Sequence, residues 1–341
     1  MSKTIVVTGG CGFIGSHLIK YLFKTYPDAH IVNIDVLTYC GNKENLKEVE
    51  KYPNYDFYQV DINSPYIESI FKYYKPDIVF SLASETHVDR SIKDPKAFIK
   101  ADVMGVFNIA YWCLKCNIPK ILHLSTDEVT GTIEDRYVSE GEPLNPTSPY
   151  AGSKAAGELL LWTYIRTYNL PAIIVRPSNI YGSHQYVEKL IPTTTVRLLE
   201  GKKAIIHGRG EEERDWLYVG DAVRAVTMLS EHGKLGEIYN LGGECIRRNI
   251  DVVHHIACIL ENKLVNVDDY VEYMNNRPGN DKRYAMNNGK VLSLIGNYHS
   301  MSFGRGLRET VMWYKNNKSW WKKLNCNLDS NIYKSNEEYL R

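Results

Sequence analysis

Residues 4–18 read TIVVTGGCGFIGSHL: a β-branched run, a glycine-rich turn, then the start of a helical pattern. A strand that stops at glycines and re-enters a helix brings unpaired N–H groups of the helix N-terminus up to the turn. Glycine there lets the backbone approach a pyrophosphate closely. Gly9, Gly12 and Gly15 stand at GxxGxxG spacing, with Phe13 and Ile14 opening the helix. The stretch therefore predicts the phosphate cradle of a dinucleotide site. Asp35 ends the next β-branched run, IVNID. A carboxylate roughly 20 residues past the turn can accept from both ribose hydroxyls and repels a 2′-phosphate, which favours NAD over NADP.

Outward from this unit, strand-like runs at 31–35, 55–60, 77–82, 118–124 and 172–175 alternate with helical patterns, the longest at 94–116 and 147–169. Such alternation predicts an α/β fold, a Rossmann-like doubly wound parallel sheet. Residues 1–176 read as the NAD-binding domain. Residues 177–341 read mainly as a smaller C-terminal substrate-binding subdomain and tail, with segments near 215–242 rejoining the sheet through a strand at 237–241. Asp61 and Ile62, after the third strand, are expected to flank the adenine; Leu82, Ala83 and Ser84, after the fourth, lie where a loop crosses the cofactor. The Lys-, Asn- and Trp-rich tail beyond 318 shows little periodicity and reads as a loosely packed extension.

A net charge of +1, with 24% charged and 44% hydrophobic residues, is ordinary for a soluble globular chain. No basic run supplies an electrostatic footprint for nucleic acid or anionic membrane. The seven cysteines are scattered without a disulfide rhythm. Cys113 and Cys116 sit in an apolar stretch with no second pair, so they read as helical thiols and no metal site is expected. No leader precedes the first strand, and no apolar run approaches the roughly 18–20 residues of a bilayer span. A cytoplasmic protein is the expectation.

Two further stretches carry chemistry. In SPYAGSK, Tyr150 and Lys154 lie four apart and share one face of a helix. An ammonium beside a phenol favours phenolate, and the pair predicts a tyrosine pKa drawn down towards working pH, fit to remove a hydroxyl proton. Upstream, Ser125-Thr126-Asp127-Glu128 ends a strand with two adjacent carboxyl groups. Neighbouring carboxyls do acid and base work only if their surroundings hold them in different protonation states.

At these residues the chain resembles the extended short-chain dehydrogenases/reductases, and within them the nucleotide-sugar (dTDP- or UDP-glucose) 4,6-dehydratases. The resemblance runs nearly the whole length, through TGGCGFIGSH, STDEV, SPYAGSKAAGELL, EKLIP, ERDWLYVGDAVRA and RPGNDKRY. It implies a lyase that holds NAD and acts on a nucleoside diphosphate glucose at an early step of rhamnose or deoxysugar synthesis. Tyr150 would deprotonate the C4 hydroxyl as hydride leaves, Glu128 would take the C5 proton, and Asp127 would protonate the departing C6 hydroxyl. Thr126 would bond the C4 hydroxyl and Lys154 would support Tyr150.

By the same resemblance Thr86, Asn179, Lys189, Leu190, His207, Arg214, Asn249 and the Arg277 to Asn280 loop hold the sugar nucleotide. Thr130, Ala101, Ile180 and Asn280 depart from the bacterial pattern, and His207 in IIHG gives a slight lean to UDP. The resemblance also implies a homodimer, with the two long helices of each chain pairing as a four-helix bundle. A 4-epimerase and a non-catalytic NAD-binding regulatory protein remain as alternatives.

Overall fold

The computed structural model describes residues 3–276 and 278–324. Its strands are β1 (Thr4–Thr8), β2 (His30–Ile34), β3 (Tyr55–Tyr58), β4 (Ile78–Ser81), β5 (Ile121–Leu124), β6 (Ala172–Pro177), β7 (Asn179–Tyr181), β8 (Ala204–His207), β9 (Glu213–Tyr218), β10 (Ile238–Leu241), β11 (Ile246–Arg248) and β12 (Val271–Met274). Seven of them form one sheet in the order β10-β6-β5-β4-β1-β2-β3. Every pairing in it is parallel. The order turns between β1 and β4, so the loops after these strands open side by side at the crevice where such sheets bind ligands.

The period-two alternation of strand side chains divides the core. Ile5 and Val7, Ile78 and Phe80, and Ile173 and Val175 pack on one face, against helices α1 (Phe13–Thr25) and α8 (Val219–His232). Val6, Val79, Ala172 and Ile174 point to the other, against α2 (Tyr66–Tyr74), α5 (Gly105–Lys115) and α6 (Pro149–Tyr168). Both faces being covered explains why the central strands carry apolar residues on both sides.

Between these helices come α3 (Val88–Lys93) and α4 (Pro95–Phe98); α7 (Leu190–Leu199) follows α6. Ile99–Met104 is π-helical and joins α4 to α5. The continuous helix over Pro95–Lys115 is long and apolar enough, by length and composition, to cross a membrane. That differs from the sequence expectation that no apolar run approaches this length; here Asp102, Val106, Ile109 and Cys113 are buried in the fold.

Helix α6 begins where Ser148 Oγ accepts from Ala151 N at 3.1 Å, with Pro149 in the first turn, and it ends at Asn169 in the left-handed region. This start and stop follow ordinary capping chemistry, and they place Tyr150 at the very start of the helix.

The remaining strands make two small sheets, β11-β9-β7 and β12-β8. With α9 (Asn249–Glu261), α10 (Gly289–Ile295) and α11 (Phe303–Asn316) they complete the chain up to α12 (Lys318–Lys322). The expectation of a loose tail beyond 318 is corrected over the described part. Trp320 and Trp321 are buried with Val187, Val196 and Tyr314, and Trp320 Nε1 donates to Asn45 Oδ1 at 2.9 Å. Two large apolar rings outweigh the polar residues around them. Residues 325–341 lie outside the described part.

Candidate active site

The glycine turn is a cradle by necessity. Gly9 has φ +71°, and a Cβ there would lie 2.8 Å from Ala83 Cα; a Cβ on Gly15 would lie 2.2 Å from Gly9 O. Any side chain at either position displaces backbone. Asp35 braces the turn, accepting from Cys11 N at 2.9 Å through one oxygen and from Leu37 N at 2.8 Å through the other. Burial pushes its carboxyl up, and these two N–H groups oppose that. Thr8 Oγ1 accepts from Leu82 N and Ala83 N, which ties the loop after β4 to the loop after β1.

A cavity of about 600 Å³ opens over this edge of the sheet. The residues expected at the cofactor, the chemistry or the substrate line it, from Gly9 to Asn280, except Pro278 and Gly279 of the 277–280 loop and Arg277, which lies outside the described residues. Asp61 accepts from Lys100 Nζ at 2.7 Å and from Asn63 N at 2.9 Å. These bonds hold its carboxyl below the usual range against partial burial.

In the middle of the cavity, Thr126 caps the short helix Asp127–Thr130, accepting from Glu128 N at 3.3 Å and donating to Asp127 Oδ1 at 3.1 Å. Asp127 is buried, and its other oxygen, Oδ2, has no hydrogen-bond partner among the described residues. Burial, then the neighbouring Glu128, push the Asp127 carboxyl well above the carboxylate range, with Thr126 and Arg214 working the other way. Glu128, by contrast, is only half-buried. Two adjacent carboxyls thus sit in unlike surroundings, the condition for opposite roles.

The tyrosine–lysine pair departs from expectation. Both side chains are buried, and Lys154 Nζ donates to Leu124 O at 2.7 Å. Tyr150 is pushed well above its ordinary value by burial and then by Glu128 and Asp102, while Thr126 lowers it. Lys154 is itself lowered by burial. Desolvation and a ring of carboxyls outweigh the cation one helical turn away.

On the far wall Lys189 caps α7, donates to Thr86 O and lies 5.8 Å over the Tyr150 ring; Leu190 opens the helix. Arg214 on β9 is buried, donating to Glu213 O at 2.9 Å and Asp281 O at 2.8 Å, with its guanidinium 4.6 Å over the Tyr284 ring. These anchors leave its Nε–H and one Nη1–H for an anion. His207 ends β8 against Asn275 O at 3.2 Å. Asn249 N donates to Glu212 O at 3.0 Å, and Asn280 Nδ2 to Glu212 Oε1 at 2.9 Å. Asn179 Oδ1 is buried without a hydrogen-bond partner among the described residues.

Sequence reasoning missed Glu188, Trp216, Tyr284 and Asp102 near this cavity. Glu188 accepts from Tyr39 OH at 3.0 Å, and burial lifts its carboxyl to about 7. Asp102 had a signal, a lone carboxylate in the apolar run FIKADVMGVFNIAYW. Trp216 and Tyr284 had none that separates them from packing residues.

The family model described as GDP-mannose 4,6 dehydratase matches residues 6–310. A dTDP-glucose 4,6-dehydratase of Neisseria meningitidis serogroup B is 40% identical over 341 residues, covering 94% of this chain and 96% of the relative. One of Salmonella typhimurium is 40% identical over 354 residues, covering 97% of each. The crystal structure of a dTDP-glucose 4,6-dehydratase from Bacillus anthracis in complex with NAD superposes with TM-score 0.88 at 37% identity, over 95% of this chain and all of that one.

Proposed function

The chain belongs to the nucleotide-sugar 4,6-dehydratase family, and we propose that it removes water from dTDP-glucose to give the 4-keto-6-deoxy product. The single observation that carries the assignment of roles is the contrast between buried Asp127, held towards its acid form, and half-buried Glu128 beside it. The relatives described above are named for dTDP-glucose, so the lean to UDP drawn from His207 finds no support and is set aside.

The glycine cradle, Asp35 and the 82–84 loop fit NAD, because Gly9 and Gly15 have no room for a Cβ and so the backbone turns tightly, bare of side chains, into the start of α1. When bound, NAD supplies the redox step, accepting hydride from C4 and returning it to C6. Burial favours the phenol form of Tyr150; Lys154 and the positive charge that bound nicotinamide would bring favour the phenolate, which, with Thr126 at its hydroxyl, takes the C4 hydroxyl proton. Glu128 removes the C5 proton, acidified by the C4 ketone. Asp127 protonates the C6 hydroxyl so that it leaves as water. Arg214, Asn179, Lys189, Leu190, His207, Asn249 and Asn280 hold the nucleotide diphosphate, and Thr86 lies towards the hexose.

We assign residues 1–176, with the stretch 215–242, to the cofactor side, and the rest mainly to the substrate side; β10 in the main sheet supports this division. A homodimer through the 95–115 and 149–168 helices is supported by outward-facing Ile99, Met104 and Leu159. Light scattering that returns a monomer at micromolar concentration removes it. The six cysteines among the described residues are free, which accords with the cytoplasmic setting proposed.

Incubation with dTDP-glucose and UDP-glucose in parallel, followed by mass spectrometry, tests the reading. Loss of one water from dTDP-glucose is expected. A C4 epimer of unchanged mass, or no reaction with either sugar, overturns it. Glu128→Gln should still oxidise C4 and trap reduced cofactor while releasing no water.

A further inference from the structure

Asp102 is a buried carboxylate that the scheme above does not use. It sits 1% exposed in the π-helical Ile99–Met104 stretch, a type of helical distortion that recurs at functional sites. Ser84 Oγ, from the loop expected to cross the cofactor, donates to its Oδ1 at 2.7 Å; Ser153 Oγ, between Tyr150 and Lys154 on α6, donates to its Oδ2 at 2.8 Å. The two helices meet at backbone distance, since a Cβ on Gly157 would lie 2.1 Å from Asp102 O. A charge buried this deeply is retained only with partners. Burial pushes the Asp102 carboxyl up, and Lys154, then Ser84 and Ser153, oppose that; Asp102 acts back on Lys154 ahead of Glu158.

Building on the proposed dehydratase reading, we propose that Asp102 is a positioning residue: it keeps Lys154 an ammonium and fastens the 82–84 loop to the Tyr150–Lys154 helix. The inference rests on both contacts together. An isolated buried lysine would shed its proton, and burial already lowers Lys154. His123 on β5 bears on the same lysine, Glu85 follows Ser84 in the loop, and Tyr150 and Glu158 share α6 with Lys154. None of these replaces Asp102, because none accepts from both the loop and the helix.

The test is Asp102→Asn in the full chain, with isotope-labelled lysine Cε followed by NMR through a pH titration and the Lys154 signal assigned by its loss in Lys154→Met. The Lys154 midpoint is expected to fall by on the order of one pH unit, and the alkaline limb of the kcat/KM profile with dTDP-glucose to move down with it. Ser153→Ala keeps the charge and removes one hydrogen bond, so it should lower the rate with the limb in place. An unshifted Lys154 midpoint in Asp102→Asn, or an equal shift in Ser153→Ala, overturns the proposal. If the amide variant does not fold, Asp102→Ser, which leaves room for water, is expected to show the same shift. The titration needs no substrate, so wild-type protein that fails to dehydrate dTDP-glucose defeats the reading of function while Asp102 is still judged.

Discussion

On the wall we assign to the cofactor, residues 9–15, 35, 61–62 and 82–84 each follow closely on a parallel strand, and the main sheet sets their spacing. On the substrate wall, Asn179, Lys189, His207, Arg214, Asn249 and Asn280 come from short strands, helix starts and loops that the sequence scatters over a hundred positions. The first wall is held by one large core and by backbone geometry. The second is held by individual polar bonds, such as those from Arg214 to Glu213 O and Asp281 O. Substitutions on the cofactor wall should therefore disturb cofactor and fold together, whereas those on the substrate wall should weaken substrate binding with the fold intact.

The largest expected effect falls where the walls meet. Tyr150→Phe removes the group assigned to the C4 hydroxyl proton and keeps the ring that packs against Phe98 at 6.2 Å. Turnover should drop by about a thousandfold, within the range for a lost acid–base group, while NAD stays bound. A variant that loses NAD instead shows that Tyr150 belongs to the cofactor wall alone. Next comes Gly15→Ala. Its Cβ meets Gly9 O at 2.2 Å, a clash that backbone must absorb at a cost of about 1–3 kcal/mol. Thermal denaturation and the nicotinamide content of the purified protein should both fall. Normal content of NAD in that variant breaks the claim that backbone geometry makes this wall.

Arg214→Ala sharpens the contrast from the other side. It should raise KM for dTDP-glucose by about ten- to a hundredfold, the scale of charge-assisted bonds to an anion, with NAD content unchanged and kcat less affected than KM. Arg214→Lys should recover little of this, since an ammonium does not reproduce the fork. If loss of NAD accompanies either change, the two walls are one cooperative unit.

The same difference decided what was legible in the sequence. The strands of the main sheet, the glycine turn, Asp35 and the rejoining strand near 237–241 were readable because short β-branched apolar runs and glycine spacing are local signals. The residues to which the chemistry is assigned stood out because Tyr150 and Lys154, and Asp127 and Glu128, are also local pairs. What escaped depends on contacts between distant segments. The protonation tendency of Tyr150 followed from burial and from carboxyls at 102 and 128, not from the lysine one turn away. β7, β11 and β12 are three- or four-residue strands whose pairing only the folded chain supplies. Asp102 looked like a charge in an apolar helix until the structure placed Ser84 and Ser153 on it.

The smallest expected effect tests a tie from the end of the described chain to the cofactor wall. Trp320 Nε1 donates to Asn45 Oδ1 at 2.9 Å, and Asn45 Nδ2 in turn donates to Cys11 O at 3.0 Å within the glycine turn. Trp320→Phe keeps an aromatic ring against Trp313 and Tyr314 and removes the indole N–H, leaving the Asn45 oxygen buried without that donor. The loss should be about 1 kcal/mol of stability, read as a lower denaturation midpoint with unchanged dependence on denaturant. Because Asn45 reaches the turn, NAD affinity should weaken a few-fold as well, and Asn45→Ala should weaken it at least as much. If Trp320→Phe costs stability and leaves NAD affinity untouched, the aromatic cluster around α12 supports only the substrate side, and the cofactor wall is more self-contained than its hydrogen bonds suggest.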